Sequence, residues 1–125
     1  MKKVIASTEA PAAVGPYSQA IALDNLLFAA GQIPLDPSTG ELVGADVTAQ
    51  AEQVCKNIGA VLKANGMTFG NVVKTTVFLT DLANFAAMNA VYSKYFTEPY
   101  PARSTIQVAG LPRGAAVEIE IIASV

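Results

Sequence analysis

The chain has 125 residues, a net charge of −2 and a pI near 4.9, so it is read as one domain (1–125) without the basic footprint of a nucleic-acid binder. It holds no His and a single Cys, which excludes Ser–His–Asp and Cys–His catalysis, imidazole metal ligands and any intrachain disulfide. Charged residues make up 14% and hydrophobic ones 52%, against about 25% charged in an ordinary soluble domain, so part of the surface is expected to be covered by other copies of the chain. No apolar run reaches the ~18 residues of a membrane span, and no apolar core or cleavage pattern of a secretory signal follows Met1-Lys2-Lys3. The expectation is a cytoplasmic protein with no metal and no cofactor.

In chain order, Lys3–Ala6 is a short strand, and the stretch from Glu9 to Pro16 is a loop with two prolines and a glycine. Tyr17–Leu23 and Leu26–Ala30 read as a hairpin joined by Asp24-Asn25, two residues that tolerate positive φ. Gly31-Gln32 closes the second of these strands. A glycine there is either a plain strand end or a place where a ligand or backbone comes close.

Pro34, Asp36-Pro37 and Thr39-Gly40 mark an ordered loop. Asp46 then caps a helix running to about Asn65, with Gly66 as its stop. Val47, Ala51, Val54, Cys55, Ile58 and Leu62 form its apolar stripe, which makes Cys55 a core residue rather than a nucleophile. Gly59 in mid-helix points to close helix–sheet packing.

Val72–Thr80 is the strongest strand, rich in β-branched residues, with Val73, Thr75, Val77 and Leu79 on one face. A second helix covers about Leu82 to Phe96, with a core stripe of Phe85, Met88, Tyr92, Tyr95 and Phe96. Pro99-Tyr100-Pro101 ends it and leads into strands Arg103–Val108 and Ala116–Ala123. Two helices can cover only one face of a sheet of about six strands, which makes the fold α+β with one face left for a subunit interface.

Those last two strands carry the candidate chemistry. Arg103, Thr105 and Gln107 share a face by alternation, as do Glu118 and Glu120. If the strands are neighbours, a guanidinium and carboxylates converge on one surface. A fixed cation beside a proton acceptor suits a small carboxylate-bearing substrate; a structural Arg–Glu pair on a solvated face is the plain alternative.

The stretches Ala12–Ala20, Ala30–Pro34, Thr39–Glu41, Val73–Leu79, Asp81-Leu82, Pro101–Ser104 and Glu118–Glu120, in that order, resemble the RidA family of reactive intermediate/imine deaminases, also called the YjgF family. The resemblance spans essentially the whole chain. It implies a chorismate-mutase-like fold, a homotrimer with sites in clefts between subunits, and hydrolysis of small-molecule 2-imino acids such as 2-iminobutanoate and 2-iminopropanoate to 2-keto acids and ammonia.

By the same resemblance Arg103 grips the substrate carboxylate and Glu118 orients or activates water. Tyr17 and Asn89 line the cleft, and Gly31 offers backbone at the substrate. The chain departs from well-known members at Thr105, where they carry Cys, and at Ala30, where they often carry Ser; Thr105 is retained as a substrate-binding position. Two other readings stay open: a non-catalytic carboxylate-binding or chaperone-like trimer using the same clamp, and, by resemblance to relatives that have been so labelled, a ribonuclease or translation inhibitor. The acidic balance and the absence of His weigh against the latter.

Overall fold

In the computed structural model all 125 residues are described. Eight elements follow in order: β1 (Lys3–Ile5), β2 (Ala20–Leu23), β3 (Leu26–Gln32), α1 (Val47–Ala64), β4 (Val72–Leu79), α2 (Phe85–Tyr95), β5 (Ala102–Gln107) and β6 (Val117–Ser124). The six strands form one mixed sheet in the order β1-β2-β3-β6-β4-β5, antiparallel throughout except for β4 and β5. Both helices lie on one side of the sheet, as the sequence pattern requires.

The topology explains why. β3 and β4 both run antiparallel to β6, so they are parallel to each other, with α1 as their crossover; α2 is the crossover from β4 to β5. Both crossovers step in the same direction across the sheet. With the same right-handedness they must lay both helices on the same face.

The core forms between that face and the helices. Leu27, Val77, Leu79, Val117, Ile119 and Ile121 from the strands pack with Val54, Cys55, Ile58, Leu62, Met88 and Phe96 from the helical layer. Asp46 caps α1, its side chain accepting from the Ala49 amide, and Gly66 closes the end at φ 68°. In the β2–β3 turn only Asp24 takes a positive φ (54°).

The structure corrects several expectations. β5 and β6 are not neighbours, because β4 lies between them. Val73 is 48% exposed, and Val72 takes its place in the core; a register shift against β6 between Val72 and Lys74 breaks the expected alternation. Gly59 packs against the Phe69 ring rather than the sheet, with a Cβ there falling 3.2 Å from the ring. Leu82–Asn84 is a separate single turn that precedes α2, and Phe85 at its junction stays exposed while Val91 is buried in the stripe instead.

The second sheet face has no helix over it. Val4, Ile21, Phe28, Ile122, Phe78 and Ile106 fall on it by register, and Val4, Phe28 and Ile106 are exposed.

Candidate functional site

Residue pairing decides where the chemistry stands. Arg103 sits beside Thr75 and Thr105 beside Val77, both buried positions on the helix side of β4. Glu118 pairs with Phe78 and Glu120 with Thr76, on the uncovered side. Arg103 and Glu118 therefore occupy opposite faces of the sheet. Two strand spacings of about 4.8 Å and three residues of about 3.3 Å put their Cα atoms roughly 14 Å apart. The expected convergence within one copy does not occur.

Arg103 stands at the sheet edge under α2. Its Nη1 donates to Asn89 Oδ1 (2.7 Å). Its guanidinium lies over two rings, 4.7 Å from the Tyr92 centroid and 5.4 Å from that of Phe85, a stacking that suits the planar cation. Phe85, Asn89 and Tyr92 follow at helical spacing, so one stripe of α2 supplies all three contacts. Tyr92 is anchored in turn by a 2.9 Å hydrogen bond with the buried Thr75 hydroxyl, and burial raises its pKa.

No carboxylate pairs with Arg103. It opens on a cavity of about 420 Å³ lined by Asn89, Tyr92, Ser93, Tyr100 and Pro101.

Glu118 belongs to a different cavity of about 450 Å³, whose wall includes Tyr17, Gly31, Val14, Ile33, Leu35 and Arg113. Its carboxylate lies directly over Gly31: an added Cβ there would fall 1.9 Å from Oε2. The absent side chain makes room for Glu118, which answers what comes close to that glycine. Half-burial, with Glu120 as a lesser contributor, raises the Glu118 pKa above the ordinary carboxylate value. No cation pairs with it.

Buried amides hold this wall in place. Gln19 accepts from the Ser7 amide (2.6 Å) and donates to the Pro11 carbonyl (2.7 Å), tying down the loop that leads to Tyr17. Asn57 on α1 donates to the carbonyls of Ile33 (3.3 Å) and Leu35 (3.0 Å). Gln50 accepts from the Ala116 amide (2.8 Å), just before β6.

The sequence-derived site residues thus fall into two groups: Arg103 with Asn89, and Glu118 with Tyr17 and Gly31. Thr105 lines neither cavity. It shares the face of Arg103, and its hydroxyl oxygen is buried without a hydrogen-bond partner.

A family model described as endoribonuclease L-PSP matches residues 7–125. The chain belongs to that family, the RidA family. It is 56% identical over 124 residues to protein DfrA of Myxococcus xanthus, covering 98% of this chain and 95% of that one. It is 53% identical over 123 residues to 2-iminobutanoate/2-iminopropanoate deaminase of Mus musculus, covering 98% and 91%. The fold superposes with a TM-score of 0.98 on the Rid-family protein YyfA of Yersinia pestis, at 51% identity and full coverage of both chains.

For this RidA-family chain, sequence reasoning missed the platform beneath Arg103 and the second cation, Arg113, on the Glu118 wall. The spacing of Phe85, Asn89 and Tyr92 was a usable signal for the first, since a stripe with Asn at its centre is not a purely apolar core stripe. The polar residues Gln19, Gln50 and Asn57 gave no such signal, because a buried amide and a solvated one look alike in sequence.

Proposed function

We propose that the protein hydrolyses 2-imino acids to 2-keto acids and ammonia, as a single RidA-like domain assembled into a cytoplasmic homotrimer. The observation that carries this reading is Arg103: a guanidinium held against two aromatic rings, with no carboxylate of its own, beside a cavity. Such a group takes a planar carboxylate by two parallel hydrogen bonds. Relatives about half identical to this chain and named for imine deamination support the substrate class.

Each site is composite. Arg103 and Asn89 come from one copy, and Glu118, Gly31 and Tyr17 from the next. The opposite placement of the two groups supports this, and so does the uncovered sheet face, where the exposed Val4, Phe28 and Ile106 are of the kind that monomers seldom leave in contact with water. Three copies around an axis satisfy every such face.

With the carboxylate clamped, the iminium carbon is already electrophilic, and water needs orientation more than force. Glu118 takes a proton from water as its oxygen bonds to that carbon. The resulting tetrahedral carbinolamine receives the proton on nitrogen. The C–N bond then breaks, ammonia leaves with the hydroxyl proton as ammonium, and the 2-keto acid remains. The raised pKa of Glu118 suits a group that both accepts and returns a proton.

The test is to generate 2-iminobutanoate enzymatically from threonine and time 2-oxobutanoate release. Acceleration by the protein supports the reading. Binding of 2-oxobutanoate without acceleration replaces it with a non-catalytic carboxylate-binding trimer.

A further inference from the structure

Besides Glu118, the wall of its cavity carries one other charged side chain, Arg113. Arg113 sits at φ 63°, ψ 14° in the Pro112–Gly114 turn, and Gly114 follows at φ 72°. Residues with a Cβ avoid this left-handed region because it crowds the next carbonyl. A long arginine held there has its direction set by the turn rather than by its own preference, and such positions cluster at functional sites.

The only carboxylate near its guanidinium is that of Glu41, 3.7 Å away, with the two side chains 50% and 76% exposed. A pair this long and this wet holds weakly, so the cation is open to exchange.

We infer that Arg113 is a binding residue for the negative charge of the substrate at the mouth of the Glu118 cavity, with Glu41 as the internal competitor for its guanidinium. The inference rests on the deaminase reading above. The carboxylate of a 2-imino acid, and the 2-keto acid product as a net anion, must approach a wall whose other charge is the Glu118 carboxylate, with Glu120 on the same sheet face. Repulsion opposes that approach until Arg103 of the neighbouring copy closes its clamp. A cation on the same wall offsets the repulsion at the distances over which charges still act in physiological salt. This task needs a charge rather than a planar fork, so Arg113 acts on capture and not on the barrier.

Two variants separate charge from turn. Arg113→Gly removes the cation while suiting the backbone, since glycine takes positive φ freely. Arg113→Lys keeps the charge. KM and kcat for 2-iminobutanoate, and the Kd of 2-oxobutanoate by calorimetry, are read at low ionic strength and at about 0.5 M salt.

Arg113→Gly is expected to raise KM and Kd about three- to tenfold at low salt, with kcat little changed and the difference shrinking at high salt. Arg113→Lys restores most of the affinity, and Glu41→Gln tightens binding. Wild-type affinity in Arg113→Gly overturns the inference, as does a loss that salt leaves untouched or one confined to kcat. Should the parent protein fail to accelerate imine hydrolysis, the deaminase reading falls while the 2-oxobutanoate comparison still decides the role of Arg113. Absence of binding to the parent removes both.

Discussion

Gly31→Ala adds one methyl group, and the structure says what it meets. The new Cβ would stand 1.9 Å from Glu118 Oε2, 2.8 Å from Cδ and 3.0 Å from Cγ. The backbone itself accepts alanine, because Gly31 is not in the left-handed region. The carboxylate is the end of a flexible side chain, so it swings aside, and its oxygen must retreat from 1.9 Å to beyond 3.0 Å.

If the displaced side chain is left about 30° off a staggered well, that costs about 0.5–1.5 kcal/mol of stability. Catalysis is hit harder, since a ~1 Å misplacement of a reacting group costs about 100-fold in rate. The expected result is a folded variant with kcat down about 100-fold, or about 2.7 kcal/mol on the barrier. The assay is keto-acid release at saturating imine, with the melting temperature taken in parallel. Adding Gly31→Ala to Glu118→Gln should cost little more than Glu118→Gln alone, because both act through one carboxylate. Wild-type kcat in Gly31→Ala, or a double variant whose losses multiply, refutes the reasoning.

Arg103→Lys should weaken 2-oxobutanoate binding about 10- to 100-fold, as lysine keeps the charge but loses the fork and the ring contact; parent-like affinity by calorimetry contradicts this. Cys55→Ala should keep kcat, because burial pushes the thiol up to about 12 and leaves it protonated; its cost is about 1–3 kcal/mol of stability, read by denaturant melting. The pH profile of kcat should fall on the acid side as Glu118 takes up a proton, with that limb displaced upward from the ordinary carboxylate value by burial and vanishing in Glu118→Gln. Linkage gives the sign for stability. A raised folded-state pKa favours folding below the unfolded pKa, and that contribution is lost as pH rises through the folded one. Glu118→Gln should therefore gain stability over the parent at pH 7 more than at pH 4, and a constant difference across that range contradicts it.

Local features of the fold were legible and non-local ones were not. α1 could be read nearly residue by residue, from the Asp46 cap to the Gly66 stop, because cap, period and stop all act within a few turns. The separation of β5 from β6 could not. Consecutive strands usually pair, but β4 takes β5 as its parallel neighbour through the α2 crossover, and β6 inserts between β3 and β4.

That single rearrangement turns an apparent Arg–Glu cluster into two half-sites. Val73 misled for a related reason, since a bulge leaves no mark in an alternating β-branched run. Gly31 was recognisable as a close-approach position, yet the group that approaches it, Glu118, lies 87 residues on in the chain.

The central claim is that one site needs Arg103 from one copy and Glu118 from another, and subunit mixing tests it most directly. Arg103→Ala and Glu118→Ala are each expected to be inactive as uniform assemblies. Co-expressed in equal amounts, they place an intact Arg103 beside an intact Glu118 at about one quarter of the sites in a randomly mixed cyclic trimer. The account predicts keto-acid release at about a quarter of the parent rate from that mixture. A mixture no more active than its two inactive components, with mixed trimers demonstrated by mass, would contradict it.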